Sequence, residues 1–349
     1  MYKVGVLGCS GNIGSIVLEE TSKTEDNYIY AATRNKRNII KKNNIQHKIF
    51  DIENKDKLND FISKCQVVIN CTGIKNANII NVCMENNVNY VDPSFFDLSE
   101  TVELPKTKQN NCIIYSAGCN PGLTEVFIKY IDTEYSPHKL EIIFSGSGSM
   151  SKSAIEELLD ISNEYKSSFR SFVRGNSIEK METWEIKRKL NHLSGDVICI
   201  PVINQSFFKC INSTDIKTAY FYNTFKSEKI ILKLIEAKSI IEKDEKIYRN
   251  YISELIGLFE EESVGYNSSF TNYYCIFSNG LNYKKRITLE SKLDWNKLTA
   301  VVITEVINLL KHNKNLKHGI GEVWEMFDAY EIIKVFLRNG YIKISNIRI

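Results

Sequence analysis

A chain of 349 residues exceeds one ordinary core and is expected to form two domains of unequal size, or one domain with a large insertion. Its composition, 43% hydrophobic and 25% charged, includes no apolar run near the roughly 18 residues of a membrane span, which excludes a membrane-embedded class. Forty-five Lys and Arg against 42 Asp and Glu leave a net charge of +3 and no basic stripe interleaved with aromatics, so a nucleic-acid partner has no support.

The chain opens Met1-Tyr2-Lys3 and passes at once into the apolar Val4-Gly5-Val6-Leu7, a start that predicts no targeting segment and a cytoplasmic protein. Cysteines at 9, 65, 71, 83, 112, 119, 199, 210 and 275 form no C-x-x-C pair. They read as reduced thiols, mostly buried in strands, with neither a disulfide framework nor a metal site. Runs such as Lys41-Lys42-Asn43-Asn44 fit AT-rich codon usage and carry no functional reading.

From Tyr2 to about Asp132, short apolar runs alternate with amphipathic segments, as in a parallel sheet covered by helices. The expected strands are Lys3–Leu7, Tyr28–Thr33, Ile45–Asp51, Gln66–Cys71, Asn89–Val91 and Cys112–Ser116. Helices are expected at Ile13–Lys23, Lys55–Lys64, Ala77–Asn86 and Asp97–Val102, with another opening at Pro121-Gly122. Six strands suit a full dinucleotide-binding domain, so the predicted class is α/β, a Rossmann-type doubly wound parallel sheet.

After Asp132 the rhythm changes to longer helices, Ser153–Lys166 and Asp244–Glu262, and to alternating strands such as Tyr273–Phe277 and Lys285–Leu289. This predicts a second α+β domain with a mixed or antiparallel sheet. The apolar helix Leu298–Leu310, Gly319-Ile320-Gly321, a helix at Tyr330–Leu337 and a strand at Tyr341–Ile344 are expected to return to the first domain. The expected divisions are 1–132 for the dinucleotide domain, 133–296 for a substrate and dimerisation domain that makes a homodimer, and 297–349 for the returning segment.

The strongest motif is Gly8-Cys9-Ser10-Gly11-Asn12-Ile13-Gly14, spaced G-x-x-G-x-x-G directly after the first strand and opening a helix. Glycines there permit a tight turn, close backbone approach to a pyrophosphate, and close helix-to-strand packing. The cofactor-binding candidates in it are Gly8, Ser10, Gly11, Asn12, Ile13 and Gly14, whose amides and helix terminus face phosphate. At the second strand end, Ala31-Ala32-Thr33-Arg34-Asn35-Lys36-Arg37 holds three cations and no carboxylate. Arg34, supported by Lys36 or Arg37, therefore points to NADP, with NAD the alternative.

Ligands of such sheets lie at the carboxyl ends of the strands, which adds Asp51 for the adenine and Thr72-Gly73 for cofactor passage. Tyr90-Val91-Asp92-Pro93-Ser94 and Ser116-Ala117-Gly118-Cys119-Asn120-Pro121-Gly122 form the expected floor under the nicotinamide, with Cys119 beside it. Asp92 is the catalytic candidate, since a carboxylate near a developing amine favours the cation; its alternative role is to cap the turn before Pro93. Ser94 and Asn120 are the substrate-binding candidates.

The sequence resembles the saccharopine dehydrogenase-like family of NAD(P)-dependent reductases. The resemblance rests on Gly8 to Gly14, Val68-Ile69-Asn70-Cys71-Thr72-Gly73, Tyr90-Val91-Asp92 and, most specifically, Ala117 to Gly122, where the family commonly has A-G-x-x-P-G. Gly146-Ser147-Gly148-Ser149-Met150-Ser151 and the closing helix with Gly319 are also similar, whereas 135–295 match no member. What the resemblance implies is a Rossmann domain joined to a mixed-sheet substrate domain, with hydride transfer in the cleft between them. The chemistry it implies is reduction of an imine formed from an amine and a keto acid or aldehyde, or the reverse; some relatives reduce C=C bonds.

Two other readings stay open. Cys71 and Cys119 invite comparison with semialdehyde dehydrogenases, although one of the five histidines, His47, His138, His192, His312 and His318, would have to supply a base, and none stands in a partner motif. The third reading is a non-catalytic NADP-binding sensor. Arg170, Arg174, Lys187, Arg188 and His192 are candidates to clamp a carboxylate-bearing small-molecule substrate, or else a solvated basic face.

Overall fold

The computed structural model describes residues 1–348 apart from 35–39, 75–76, 95–109, 165–168, 183–185, 191–192, 194, 241–244, 281–283 and 314–316. The expected helix at Asp97–Val102, together with Lys36, Arg37 and His192, lies outside the described residues. The chain divides into two compact units, Met1–Val126 with Asn296–Asp328, and Phe127–Trp295 with Ala329–Ile349. No helix among the described residues is long and apolar enough to cross a membrane.

The first unit begins β1 (Tyr2–Leu7), α1 (Asn12–Thr21), β2 (Asn27–Thr33), β3 (Ile45–Ile49) and α2 (Lys55–Ile62). It continues β4 (Val67–Asn70), α3 (Ala77–Glu85), β5 (Asn89–Val91), β6 (Cys112–Tyr115) and the start of α4 (Leu123–Tyr135). Strands pair in parallel in the order β15-β6-β5-β4-β1-β2-β3, where β15 is Gly319–Glu322. Val4, Val6 and Leu7 on β1 and Val67, Val68 and Ile69 on β4 are fully buried, because helices cover both faces and leave no solvent side to alternate. Gly5 marks a close approach: an ideal Cβ there would lie 2.8 Å from Cys65 Sγ and 2.9 Å from Phe61 Cε1.

The sheet has a seventh strand beyond the six expected. β15 pairs with β6 in the register Ile320↔Ile113, but its sequence Gly-Ile-Gly-Glu lacks the β-branched run by which a strand is recognised.

The second unit is built on β7 (Lys139–Gly146), α5 (Lys152–Glu164), β8 (Ser171–Arg174), β9 (Ser177–Lys180), β10 (Ile186–Lys189) and β11 (Asp196–Pro201). Then follow α6 (Gln205–Asn212), β12 (Thr218–Phe225), α7 (Glu228–Ile240), α8 (Glu245–Val264), β13 (Thr271–Ser278) and β14 (Lys284–Ser291). Its mixed sheet runs β10-β11-β12-β7-β13-β14-β16, where β16 is Lys343–Arg348, with β8 paired to β12 and β9; among the described residues only the β12–β7 pair is parallel. Phe144 on β7 packs between the rings of the two neighbouring strands, 5.1 Å from Tyr273 on β13 and 6.5 Å from Phe221 on β12 by ring centroid.

The remaining elements are α9 (Trp295–His312), α10 (Val323–Met326), α11 (Ala329–Arg338) and β16 (Lys343–Arg348). The segment 297–349 does not return as one piece: most of α9 and β15 belong to the first unit, while α11 and β16 belong to the second. β16 pairs antiparallel with β14, Leu289↔Ile344, so its alternating residues complete an edge of the mixed sheet.

Candidate cofactor and active site

The loop between β1 and α1 is shaped by its glycines. Gly8 sits at φ +77, where a side chain is strained, and an ideal Cβ would lie 2.8 Å from the carbonyl oxygen of Cys71. Gly11 N donates to Gly8 O at 2.9 Å and closes the turn, while a Cβ on Gly14 would collide with that same Gly8 carbonyl. Gly11 then caps α1 with no side-chain hydrogen bond, and the first turn, which contains Asn12, Ile13 and Gly14, carries no acidic residue. A backbone cradle that a single Cβ would fill, placed at an uncapped helix start, fits a dinucleotide pyrophosphate.

The cradle is pinned to the end of β2. Gly8 N and Cys9 N both donate to Ala32 O, at 3.0 and 3.1 Å, and the hydroxyls of Ser10 and Thr33 share a 2.6 Å hydrogen bond. Arg34 follows immediately and is exposed, available to an anion beside Ser10. Asp51, also exposed, lies just beyond β3; its Oδ1 accepts from Glu53 N at 3.0 Å, in the turn that leads to the Asn54 cap of α2.

The ends of β4 and β5 are joined by a buried polar network. Asn70 Nδ2 donates to Asp92 Oδ2 at 2.8 Å and to Tyr90 Oη at 3.0 Å, and Tyr90 Oη donates to Asp92 Oδ2 at 2.6 Å. On its other side Asn70 Oδ1 accepts from Thr72 N at 3.2 Å and Thr72 Oγ1 at 2.7 Å, ahead of Gly73 at φ +68. Asp92 Oδ1 accepts from Ser94 N at 2.8 Å, the turn-capping bond anticipated before Pro93. Burial raises the Asp92 carboxyl above its ordinary range, and the donors from Tyr90, Ser94 and Asn70 oppose that rise. Sequence reading singled out Asp92 and Thr72 but not Asn70 or Tyr90 as their partners. The available signal was an Asn closing the otherwise apolar run Val67–Asn70.

Beside this network lies the loop after β6. Ala117 N donates to Asp92 O at 2.9 Å and Ser116 N to Ser94 O at 3.2 Å, so the two expected floor segments are indeed adjacent. Ser116 is fully buried at φ +51, a conformation uncommon outside glycine. Cys119 N donates to Thr299 Oγ1 on α9 at 3.1 Å, Thr124 Oγ1 to Asn120 Oδ1 at 3.2 Å, and Gly122 N to Glu125 Oε2 at 2.6 Å. The Asn120-Pro121 peptide is cis. Thr299 and Glu125, which hold this loop from α9 and α4, were not legible as site residues, because their partners are set by tertiary packing.

Three thiols of the first unit, Cys9, Cys65 and Cys71, are poorly suited to nucleophilic work. Burial pushes Cys9 up to about 11 and Cys65 up to about 12, and Cys71 rises further through burial and the neighbouring Asp92 and Cys9. At pH 8 a thiol at about 11 is ionised in roughly one molecule per thousand. Iodoacetamide is therefore expected to label Cys9, Cys65 and Cys71 only after unfolding; rapid modification of Cys71 in the native protein would contradict this.

In the second unit, Arg174 pairs with Glu179 at 3.1 Å, Lys187 with Glu228 at 3.4 Å and Arg188 with Glu141 at 3.0 Å, while Arg170 is partly buried. The segment Gly146–Ser151 has a packing role: Ser147 Oγ accepts from Phe270 N at 3.0 Å, Trp295 Nε1 donates to Ser149 O at 3.2 Å, and a Cβ on Gly148 would collide with Trp295.

Residues 4–118 match the family model described as the saccharopine dehydrogenase NADP binding domain. Among solved structures the chain is similar to apo histidine-tagged saccharopine dehydrogenase (L-Glu forming) from Saccharomyces cerevisiae. That likeness spans 99% of this chain and 100% of the other at 12% identity and a TM-score of 0.67, a likeness of fold in both the parallel and the mixed sheet. The chain is also similar, at a TM-score of 0.44 and 15% identity over 95% of its length and 96% of the other, to a meso-dapdh mutant with DAP from Clostridium tetani. No curated protein matches it in sequence.

Proposed function

From the match of residues 4–118 to the saccharopine dehydrogenase NADP binding domain we propose that the protein reduces, or forms by oxidation, a C=N bond in a small amine- or amino-acid-derived metabolite. It is an NADP-binding oxidoreductase; the proposal concerns its substrate. When bound, the nicotinamide supplies or accepts the hydride. Gly8, Ser10, Gly11, Asn12, Ile13 and Gly14 would hold the pyrophosphate, Arg34 the adenosine phosphate, and Asp51, Thr72, Gly73 and Cys119 the rest of the cofactor.

The observation that carries the reading is the state of Asp92. Its oxygens accept from Asn70, Tyr90 and Ser94, donors that hold the carboxyl group in place and favour its ionised form against the opposing effect of burial. A fixed anion at the carboxyl edge of the sheet favours a cation nearby, as an iminium would be. A protonated imine accepts hydride with little further acid catalysis, whereas a ketone needs a proton donor. Ser94 and Asn120 would orient the substrate.

The test is NADPH oxidation followed by absorbance with amines, 2-oxo acids and both together. Consumption is expected only when amine and carbonyl are combined, and Asp92→Asn should lower kcat/KM by about tenfold or more. Consumption with an enoate or with a carbonyl alone would overturn the reading. Direct hydride transfer also predicts that Cys71→Ser and Cys119→Ala each stay within about threefold of wild-type turnover. A folded, NADP-binding Cys119→Ala variant without activity would instead support the semialdehyde dehydrogenase mechanism.

The proposal extends to a homodimer through the second unit. Leu232 and Ile235 on α7 and Ile247 on α8 are 58%, 42% and 44% exposed, apolar surface that a partner copy would cover. Sedimentation giving a monomer at assay concentration would remove this part.

A further inference from the structure

We propose that Asn70 is the positioning residue of the cofactor edge: its one side-chain amide locks the turn after β4 to the turn after β5, and this lock sets affinity for NADP. The inference rests on the reading that NADP lies along this edge, and it concerns a residue that touches neither substrate nor cofactor in that reading.

The orientation of the amide follows from its neighbours. Thr72 N is an obligate donor 3.2 Å from one arm, so that arm is the oxygen and the other is the NH2 group, facing Asp92 Oδ2, Tyr90 Oη and the carbonyl of Ile74. Thr72 Oγ1 donates to Asn70 Oδ1 and in turn accepts from Ile74 N at 3.1 Å. One side chain, 1% exposed, thereby fixes Thr72-Gly73-Ile74 on one arm and Asp92 on the other. The Asp92 backbone accepts from Ala117 N, and Cys71 N donates to Leu7 O at 2.9 Å just ahead of Gly8. The lock therefore connects the glycine cradle side of the sheet with the loop after β6. An apolar residue of similar size would leave Thr72 and Asp92 lacking these bonds and free the two turns to move independently.

The decisive variant is Asn70→Asp. It keeps the shape and the oxygen arm but exchanges the donor arm for a carboxylate facing Asp92. At about pH 8 the two carboxylates repel, and at about pH 5.5 one shared proton restores a donor between them. The other titratable groups around Asp92 are Tyr90 on β5 and Cys71 after β4, with Cys9 behind it; all three are raised above their ordinary values and stay protonated across this range.

Calorimetric titration with NADP, comparing variant and wild type at each pH, is the experiment. The expected result is affinity about tenfold weaker for Asn70→Asp at pH 8, recovering to within about threefold at pH 5.5, while Asn70→Ala is equally weak at both. A folded Asn70→Asp protein with wild-type affinity at pH 8, or with a loss that pH leaves unchanged, would overturn the proposal. Should that variant fail to fold, Asn70→Ala alone serves: affinity about tenfold weaker than wild type is expected, and wild-type affinity overturns the proposal. Wild-type protein that does not bind NADP would overturn the underlying reading as well. Binding that is lost in Gly11→Val but kept in Asn70→Asp would overturn the positioning role alone.

Discussion

Gly14→Val is expected to abolish measurable NADPH binding and to lower the stability of the first unit by at least ~3 kcal/mol. An ideal Cβ on Gly14 overlaps the Gly8 carbonyl oxygen and comes within 2.8 Å of its carbon and 3.1 Å of Cys9 Cα. These are backbone atoms, pinned by the bonds from Gly8 N and Cys9 N to Ala32 O, so no rotamer change relieves the clash. Helix α1 would have to move off β1, losing the burial of Val17 and Leu18, both now fully covered. Gly11→Val separates fold from binding. Its Cβ meets Gly8 O at 3.2 Å and Cys71 O at 3.8 Å, contacts that a small shift accommodates, yet its methyls would block close approach of a pyrophosphate to the turn. Thermal unfolding within about 5 °C of wild type, with NADPH affinity reduced by about 100-fold or more in a fluorescence titration, is the expected pattern. Wild-type affinity in Gly11→Val would take the loop out of the cofactor site.

Arg34→Ala should erase a preference for NADPH over NADH that is expected to be about tenfold or greater in the wild type. A bidentate guanidinium-phosphate contact contributes on the order of 2 kcal/mol, enough for such a ratio from this residue alone. Arg34 is exposed, so its contribution is open to screening. The NADPH preference should therefore shrink as salt is raised in the wild type and show no such dependence in Arg34→Ala. Arg34→Lys, which keeps the charge but not the planar fork, should fall between the two. Equal NADPH and NADH affinities in the wild type at low salt would contradict the assignment, as would an unchanged preference in Arg34→Ala.

The parts of the fold that were legible are those whose physical signal is local. β1 and β4 read as strands because both faces are buried and their residues are continuously apolar, and the glycine cradle reads as a phosphate loop because strand, turn and helix follow within a few residues. β15 was not recognised as a strand because its glycines leave pairing with β6, over two hundred positions earlier in the chain, as its main support. The short strands β8 to β11 were missed for a related reason: at four to six residues each, they are fixed by ladder partners more than by their own pattern. At the site, Asp92 and Thr72 were visible as polar residues at strand ends, but Asn70 sits 22 residues from Asp92 and Thr299 sits 180 from Cys119. Links of that kind come from strand order and helix packing.

The most direct measurement of the central claim is a crystal structure of the protein with NADP bound. The account predicts the pyrophosphate on the amides of 8–14, the adenosine phosphate within hydrogen-bond reach of Arg34, and nicotinamide C4 beside Asp92–Ser94 and Cys119-Asn120, with the Asp92 carboxylate still held by Asn70, Tyr90 and Ser94. A nicotinamide ring resting in a dry, wholly apolar pocket away from Asp92 would contradict a charged imine as the substrate and favour C=C reduction.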